Sequence, residues 1–188
     1  MTVPTDLDHR FRAAAARSGF LDAAYDVFES PLGELLVATT DRGLLRVSYV
    51  QGFDALEMIE EIARLAGRRV LRSGSAIDGA RRELDEYFDG SRRSFDVQVD
   101  LRGQAPFSVA VLGELAKVPY GRTATYGELA GRAGSPKGAR AVGMVMNRNP
   151  IPIVLPCHRI VGASGSLVGY AGGLERKEQL LRLEGAML

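Results

Sequence analysis

A cysteine and a histidine stand side by side at positions 157 and 158, and they are the strongest candidates for chemistry in this chain. Cys157 is the only cysteine, and only one other histidine exists, His9. The thiolate form of cysteine is the nucleophile, and a buried thiol needs a nearby base or positive charge to form it. Because successive side chains of a strand point to opposite faces, contact between Cys157 and His158 requires a kink or an intervening water. The alternative, commoner for a lone cysteine, is an inert buried side chain.

Three prolines, Pro150, Pro152 and Pro156, lead into this pair. Proline has no N–H donor and a fixed φ, so the segment 149–161 predicts neither a helix nor a central strand. The residues between the prolines are apolar, which favours burial. We expect an extended, buried segment that carries the thiol and the imidazole into the core. Irregular backbone is costly to bury, so this segment indicates a site.

The composition excludes several classes of protein. A single cysteine rules out an intramolecular disulfide framework and a zinc site built on several cysteines, and no metal or other cofactor is predicted. The first residues include Asp6 and Asp8 and lack the apolar run of a secretory signal. No run approaches the roughly 18 apolar residues that a membrane span needs. We therefore expect a cytoplasmic protein without a membrane partner.

Charge divides the chain into two halves. Residues 1–100 hold 13 Lys and Arg against 18 Asp and Glu, whereas residues 101–188 hold 11 against 5. The basic half contains Cys157, which is a modest indication of a polyanionic partner on that side, although such a split also arises by chance. The polar Gly- and Pro-containing stretch 102–106 predicts a boundary between a domain over 1–101 and a second over 102–188.

The N-terminal domain is predicted to be α/β, with a small antiparallel sheet. Short runs over 25–29, 34–40 and 44–50 are typical of a three-stranded meander, and 94–101 alternates like a half-buried strand. Apolar residues at helical spacing predict helices over 53–65 and 76–88. An Ala-rich helix over 6–24 is predicted as an extension that occupies 1–24. Nothing in this half indicates catalysis.

The C-terminal domain is predicted to be mostly helical. Thr125 and Glu128 fit a capping box at the start of a short helix. Ser135 and Pro136 are typical of the N-cap and first residue of a second helix, which runs to Asn147 with a basic face. Two helices joined by a short turn are the signature of a helix-turn-helix. A plain helical hairpin and a helix that docks on DNA both stay open on this pattern alone.

Several motifs resemble those of the O6-alkylguanine-DNA alkyltransferases, which repair alkylated guanine by transferring the alkyl group to themselves. The segment 156–161, Pro-Cys-His-Arg-Ile-Val, is similar to the Pro-Cys-His-Arg-Val active-site motif of that family. Segments 30–33, 119–130, 140–143 and 169–185 resemble other family blocks in the right order. The resemblance implies an RNase H-like N-terminal domain and a helical C-terminal domain that contains a winged-helix-like helix-turn-helix.

The resemblance also implies catalytic roles. Cys157 would accept the alkyl group, His158 would remove its proton through a water, and Glu184 would orient that histidine. This is the nucleophile, base and orienter logic of catalytic triads. Asn149 would hold the turn before the active-site segment. Tyr126 would donate a proton toward the leaving guanine, or crowd the phosphate and drive base rotation.

Two further sets of residues follow from the resemblance. One set would bind DNA, with Arg140 as a finger that enters the duplex: Tyr126, Ser135, Lys137, Ala139, Arg140 and Met144. The other would wall the pocket for a flipped base together with the loop 161–173: Met146, Pro152, Val161, Ser166 and Tyr170. Flipping is needed because the O6 atom lies on the base edge inside the duplex.

The resemblance therefore implies a methyltransferase that works once, on double-stranded DNA that carries O6-alkylguanine and, we expect, O4-alkylthymine. We expect a monomer in solution, and leave cooperative binding along DNA open. A protein that flags the lesion without repairing it would use the same groove. A helix-turn-helix regulator with an incidental cysteine would leave Tyr126, His158 and Glu184 unexplained. Uptake of one methyl group by Cys157 separates the enzyme from the flagging protein.

Overall fold

The computed structural model describes residue 14, residues 19–50 and residues 55–186. The chain forms two compact units. One runs up to Asp89 and includes Phe95–Gly103, and the other comprises Gly90–Ser94 and the chain from Gln104 onward. Within the described ranges, no helix is long and apolar enough to cross a membrane. The same ranges hold no group of three or more His, Cys, Asp or Glu side chains arranged to bind a metal.

The first unit is built on a four-stranded sheet in the order β3-β2-β1-β4. Strands β1 (Ala23–Phe28), β2 (Leu35–Thr40) and β3 (Gly43–Tyr49) form the predicted antiparallel meander. The sheet is mixed, however, because β4 (Val70–Arg72) pairs in parallel with β1. With three residues, β4 is too short to show a period in the sequence.

Two helices cover this sheet. They are α1 (Ala55–Ala66) and α2 (Gly74–Phe88). The four residues 35–38 of β2 are all buried, which requires cover on both faces because strand side chains alternate. Met58 and Ile62 of α1 join the core cluster with Leu36 and Leu45. Both helices were predicted, although Phe53, the predicted start of α1, lies outside the described residues.

Two predictions for the first unit need correction. The segment 94–101 is not a strand but makes one bridge, between Leu44 and Val99. The Glu83 carboxylate accepts hydrogen bonds from the N–H groups of Asp96 (2.8 Å) and Val97 (3.3 Å), which takes these donors away from a ladder. The helix predicted over 6–24 lies mostly outside the described residues. Its C-terminal end was wrong, since residues 19–22 are not helical and β1 begins at Ala23.

The second unit is mostly helical, as predicted. Its helices are α3 (Pro106–Leu115), α4 (Tyr126–Arg132), α5 (Ala139–Asn147) and α6 (Leu174–Leu183). Strands β5 (Ala124–Thr125) and β6 (Ile160–Val161) form a short parallel pair. A 3₁₀ turn, Cys157–Arg159, directly precedes β6. Because β5 runs into α4 and β6 follows the turn, this pair holds the start of α4 beside Cys157.

Local sequence determines the helix starts unevenly. The predicted capping box is confirmed, since the Thr125 side chain accepts from the N–H of Glu128 and the Glu128 carboxylate accepts from the N–H of Thr125. The predicted cap at Ser135 was wrong, because α5 begins only at Ala139. Residues 135–138 form a turn in which the Ser135 carbonyl accepts from the N–H of Gly138 (2.7 Å). The connection between α4 and α5 is therefore longer than predicted.

Candidate active site

The segment that leads to the cysteine is buried as predicted, but it is folded into a turn rather than extended. The Asn149 amide accepts from the N–H of Ile151 (3.0 Å) and donates to the carbonyl of Leu155 (2.8 Å). Ile153 has φ 75°, a left-handed conformation that is strained for a β-branched residue. The prolines remove donors that a regular ladder would need, and Asn149 satisfies the backbone in its place. The predicted position of Asn149 at this turn agrees with these bonds.

Cys157 opens the 3₁₀ turn, with its N–H bonded to the carbonyl of Leu155 (2.8 Å). The residue is 4% exposed. Burial raises the pKa of its thiol to about 11, against the opposing effects of the Asn149 amide and the Lys177 ammonium. The thiol is thus protonated at neutral pH in this state, and it needs a base to become a nucleophile.

The 3₁₀ turn supplies the kink that brings His158 into the same buried region. Its Nε2 lies 2.8 Å from Oε1 of Glu184, the residue that follows α6. Both side chains are fully buried. Nδ1 of His158 is buried and has no hydrogen-bond partner among the described residues. Burial lowers the pKa of His158 despite the opposing effect of Glu184, which leaves the imidazole neutral and able to accept a proton.

Glu184 stays ionised although it is buried. Burial alone would raise the pKa of its carboxyl, but hydrogen bonds from His158 and Arg159 outweigh burial and hold that pKa at about 2. The Arg159 guanidinium binds both oxygens, with Nη2 2.8 Å from Oε1 and Nε 2.9 Å from Oε2. An ionised Glu184 can only accept, so the hydrogen of His158 lies on Nε2 and the lone pair on Nδ1.

Lys177 is a buried residue of the site that sequence reasoning missed. Its ammonium donates to the carbonyls of Ile160 (2.5 Å), Val168 (2.9 Å) and Gly169 (3.4 Å), so all three of its donors are used. Burial lowers the pKa of Lys177 to about 8, with a smaller opposing effect from Cys157. The signal in the sequence is its spacing on α6, where position 177 lies on the same helix face as Leu180 and Leu181, both buried.

A small cavity opens beside the thiol. It holds about 50 Å³ and is lined by Tyr126, Gly143, Met146, Asn147, Cys157, Gly169 and Tyr170. The hydroxyl of Tyr126 donates to the carbonyl of Val168 (3.0 Å), which links the start of α4 to the loop over the cavity. Burial raises the pKa of Tyr126, so its hydroxyl keeps its proton at neutral pH.

The structure brings some of the predicted pocket residues together and leaves others apart. Tyr170 and Met146 line the cavity with Tyr126. Pro152, Val161 and Ser166 do not. Pro152 and Val161 are buried, in the turn before Cys157 and in β6, whereas Ser166 is exposed on the loop.

Apart from Tyr126, which begins α4, the predicted DNA-binding residues lie along the connection into α5 and on the surface of α5. Lys137, Arg140 and Met144 are exposed, and Met144 has 57% of its surface accessible. Ser135 and Ala139 are partly buried. The opposite side of α5 buries apolar residues against the unit, so its polar side is available to a partner.

Comparison with known proteins establishes the family. The methylated-DNA–protein-cysteine methyltransferase of Methanosarcina acetivorans is 43% identical over 162 residues, which is 86% of this chain and 98% of that protein. The enzyme of the same name from Mycolicibacterium paratuberculosis is 41% identical over 160 residues, 85% of this chain and 91% of that protein. The chain belongs to this family of DNA-repair methyltransferases. The resemblance inferred from the motifs is thus confirmed.

The domain models of the methyltransferase family match both halves of the chain. The model for the ribonuclease-like domain of 6-O-methylguanine DNA methyltransferase matches residues 23–101, and the model for the DNA-binding domain matches residues 106–186. Crystal structures of the Mycobacterium tuberculosis O6-methylguanine methyltransferase cover 87% of this chain and 93% of theirs, at 38% identity and a TM-score of 0.76. A structure of that protein in complex with DNA has a TM-score of 0.75. The predicted α/β fold class is confirmed, and membership makes the chain an enzyme.

Proposed function

We propose that this methyltransferase transfers the alkyl group of O6-alkylguanine in double-stranded DNA to Cys157, once per molecule. The observation that carries the proposal is the buried row of Cys157, His158 and Glu184, in which Nδ1 of the histidine is left to accept a proton. This row answers the problem posed by a thiol whose pKa burial raises to about 11. The same chemistry extends to O4-alkylthymine, whose alkyl carbon is also bonded to an exocyclic oxygen.

The side chains of the site account for every bond and proton of the transfer. The thiol proton passes through a water to Nδ1 of His158, and the imidazolium that forms is stabilised by Glu184. The sulfur forms a bond to the alkyl carbon as the bond from that carbon to O6 breaks. The electron pair stays with the guanine, which takes a proton from the hydroxyl of Tyr126. Tyr126 must leave the carbonyl of Val168 to donate this proton. The tyrosinate then recovers a proton from solvent as the imidazolium of His158 releases its own.

The product is a thioether, whose sulfur is a poor leaving group. Water does not hydrolyse a thioether under physiological conditions, so we expect each molecule to act once. A reducing compartment such as the cytoplasm suits this use, because it keeps a lone thiol free until the lesion arrives.

Substrate entry requires the cavity to widen. Its volume of about 50 Å³ is well below the roughly 150 Å³ of an engineered cavity that binds benzene, and a purine is larger than benzene. The loop 162–173 carries Gly169 and Tyr170 of the cavity wall and is largely exposed. We expect this loop to move outward when a flipped base enters, since the rest of the wall comes from helices.

Binding to the duplex is assigned to α5 and to the connection that leads into it. Sequence-independent repair needs phosphate contacts more than base readout, and the exposed Lys137 and Arg140 suit such contacts. Unstacking a base costs a few kcal/mol, which a side chain inserted in its place partly offsets. Arg140 is the residue assigned to that insertion.

Arg140→Ala should slow transfer from duplex about tenfold and leave transfer from the free base unchanged. Arg182→Ala, at an exposed position on α6, is the control.

Intact mass after incubation with a duplex that contains O6-methylguanine tests the proposal. One methyl group per chain is expected, on the peptide that contains Cys157, and none for Cys157→Ala. Binding of the duplex without a gain in mass would refute alkyl transfer and leave a protein that flags the lesion. An adduct on another residue would refute the assignment of Cys157.

A further inference from the structure

The guanidinium of Arg159 occupies a buried position between Glu184 and the end of α3. It is 6% exposed. Nε and Nη2 bind the two oxygens of Glu184 in a fork, and Nη1 donates to the carbonyl of Val118 (2.6 Å). A fork of this kind fixes the plane and the direction of a carboxylate, which a single hydrogen bond does not.

The other hydrogen bonds to Glu184 leave its carboxylate only one orientation. His158 binds Oε1 and the N–H of Gly121 donates to Oε2 (3.2 Å). The ring of Tyr120 lies 5.8 Å from Cζ of Arg159, and the hydroxyl of Tyr120 donates to the carbonyl of Leu183 (3.0 Å). The Tyr120 ring and the carbonyl of Val118 therefore both hold the guanidinium of Arg159 in place.

Arg159 acts on the histidine through Glu184. A carboxylate that is already neutralised by a guanidinium attracts a second positive charge less strongly than a bare one. A positive charge beside the imidazole also opposes its protonation directly. Without Arg159, the buried Glu184 carboxylate would lose the guanidinium that balances its charge, and a second proton on His158 would supply a positive charge in its place. A histidine that already carries two protons cannot accept one from the thiol.

We propose that Arg159 is a positioning residue for alkyl transfer: by holding both oxygens of Glu184, it fixes the Nε2–H tautomer of His158 and keeps the imidazole a neutral base. The inference rests on the proposed function for its consequence, but the state of His158 can be measured without any transfer. Arg159 touches neither the thiol nor the substrate pocket described above, so its effect is exerted through Glu184.

Other charges face His158 and act in known directions. Glu184, at the end of α6, favours the imidazolium, whereas Lys177 of the same helix opposes it together with Arg159. Cys157 precedes it in the 3₁₀ turn, and its thiol is uncharged at neutral pH. Of these groups, only Arg159 binds the carboxylate to which His158 is hydrogen-bonded.

Nitrogen NMR of protein with labelled histidine, followed against pH, measures the tautomer and charge directly. The only other signal comes from His9, which a His9→Gln variant assigns. In the native protein, His158 should be neutral at pH 7 with its hydrogen on Nε2. In Arg159→Met, protonation of His158 should move to higher pH, and the pH below which transfer from free O6-methylguanine slows should rise with it.

Arg93→Met is the matched control. Arg93 packs on the same Tyr120 ring, 5.7 Å from the centroid, and is not part of the fork that holds both oxygens of Glu184. It should leave both the titration of His158 and the pH profile unchanged. If Arg159→Met does not fold, Arg159→Lys replaces it, and a smaller shift in the same direction is expected because lysine keeps the charge without the fork.

The inference is overturned if native His158 is charged at pH 7, if its hydrogen lies on Nδ1, or if a folded Arg159 variant titrates like the native protein. An equal shift in Arg93→Met would also overturn it, because the effect would then be one of general charge. A neutral Nε2–H histidine in a protein that gains no methyl group would contradict the proposed function instead, and leave the positioning role of Arg159 intact.

Discussion

Each unit of this protein contains a buried carboxylate that is bound by an arginine, but only the carboxylate of the second unit belongs to the candidate active site. In the first unit, Asp100 accepts from the Thr40 hydroxyl (2.6 Å) and from Nε of Arg102 (2.6 Å). Burial raises the pKa of Asp100, but these hydrogen bonds outweigh burial and lower it. In the second unit, Glu184 has a comparable arginine but also an imidazole.

The difference lies in what the remaining partner can do. Asp100 is bound by the Thr40 hydroxyl and by the guanidinium and backbone N–H of Arg102, which act as donors that fasten a loop. His158 can change its charge, has a free lone pair on Nδ1 and follows a thiol in the chain. A buried ion pair is therefore weak evidence of function, and an unpartnered base beside it is much stronger.

The largest effect that separates the two clusters is expected from removal of each carboxylate charge. Glu184→Gln should slow methyl transfer about 100-fold, because the base loses its orienting partner and the stabilisation of its imidazolium. Asp100→Asn should leave the rate unchanged while it lowers stability. Single-turnover kinetics on the same duplex measure both. The distinction between the two clusters would be wrong if Asp100→Asn transferred the methyl group slowly, or if Glu184→Gln transferred it as fast as the native protein.

A smaller effect should separate two tyrosines, one in each unit. Tyr126→Phe removes the hydroxyl that borders the cavity and should slow transfer about tenfold, by loss of the proton donor. Tyr87→Phe changes a fully buried tyrosine of α2 and should leave the rate unchanged. The comparison uses free alkylguanine, so that effects on DNA bending do not enter. Equal rates for native protein and Tyr126→Phe would remove the tyrosine from the chemistry.

Acidification should remove about 3 kcal/mol of folding stability that the ionised Glu184 contributes. The folded protein holds the pKa of Glu184 at about 2, below the ordinary value of about 4.3, so its contribution to stability is present above pH 4.3 and is lost as pH falls toward 2. Glu184→Gln lacks this contribution. The difference in unfolding free energy between native protein and variant should therefore shrink between pH 5 and pH 2.5, as measured by denaturant titration. If the difference in unfolding free energy did not change with pH, Glu184 would have the same pKa in the folded and the unfolded protein, which would contradict this prediction.

The smallest effect concerns the helix caps of the two units. Thr125 caps α4 through its side chain, whereas Ser73, the N-cap of α2, makes no side-chain cap bond. Thr125→Ala should lower stability by about 1 kcal/mol through lost capping, and Ser73→Ala should lose none from that source. Thermal unfolding compares the two. A larger loss in Ser73→Ala would show that the Ser73 side chain stabilises the first unit through another contact, such as its hydrogen bond with the Ser75 hydroxyl (3.3 Å).

The sequence predicts most of what depends on local rules or on a recognisable motif. The capping box at Thr125 follows from two residues, and the meander follows from alternation and turns. His158 and Glu184 could be predicted as the partners of Cys157 because the family resemblance implies them. The left-handed Ile153 could not be predicted, since burial and the bonds of Asn149 override its preference.

The parts that could not be predicted depend on contacts between distant segments. β4 exists because β1 offers an edge, and three residues carry no period of their own. The three carbonyls that bind Lys177 belong to β6 and to the loop after it, and no local sequence pattern predicts these contacts. The late start of α5 reflects a turn that Gly138 and Ser135 form together.

The central claim is that the thiol of Cys157 is a single-use acceptor. Incubation of a known amount of protein with a large excess of duplex that carries radiolabelled O6-methylguanine counts the methyl groups transferred over time. The account predicts a plateau at one methyl group per chain, with all of the label on Cys157. Continued transfer beyond one per chain, or a plateau that survives in Cys157→Ala, would contradict it.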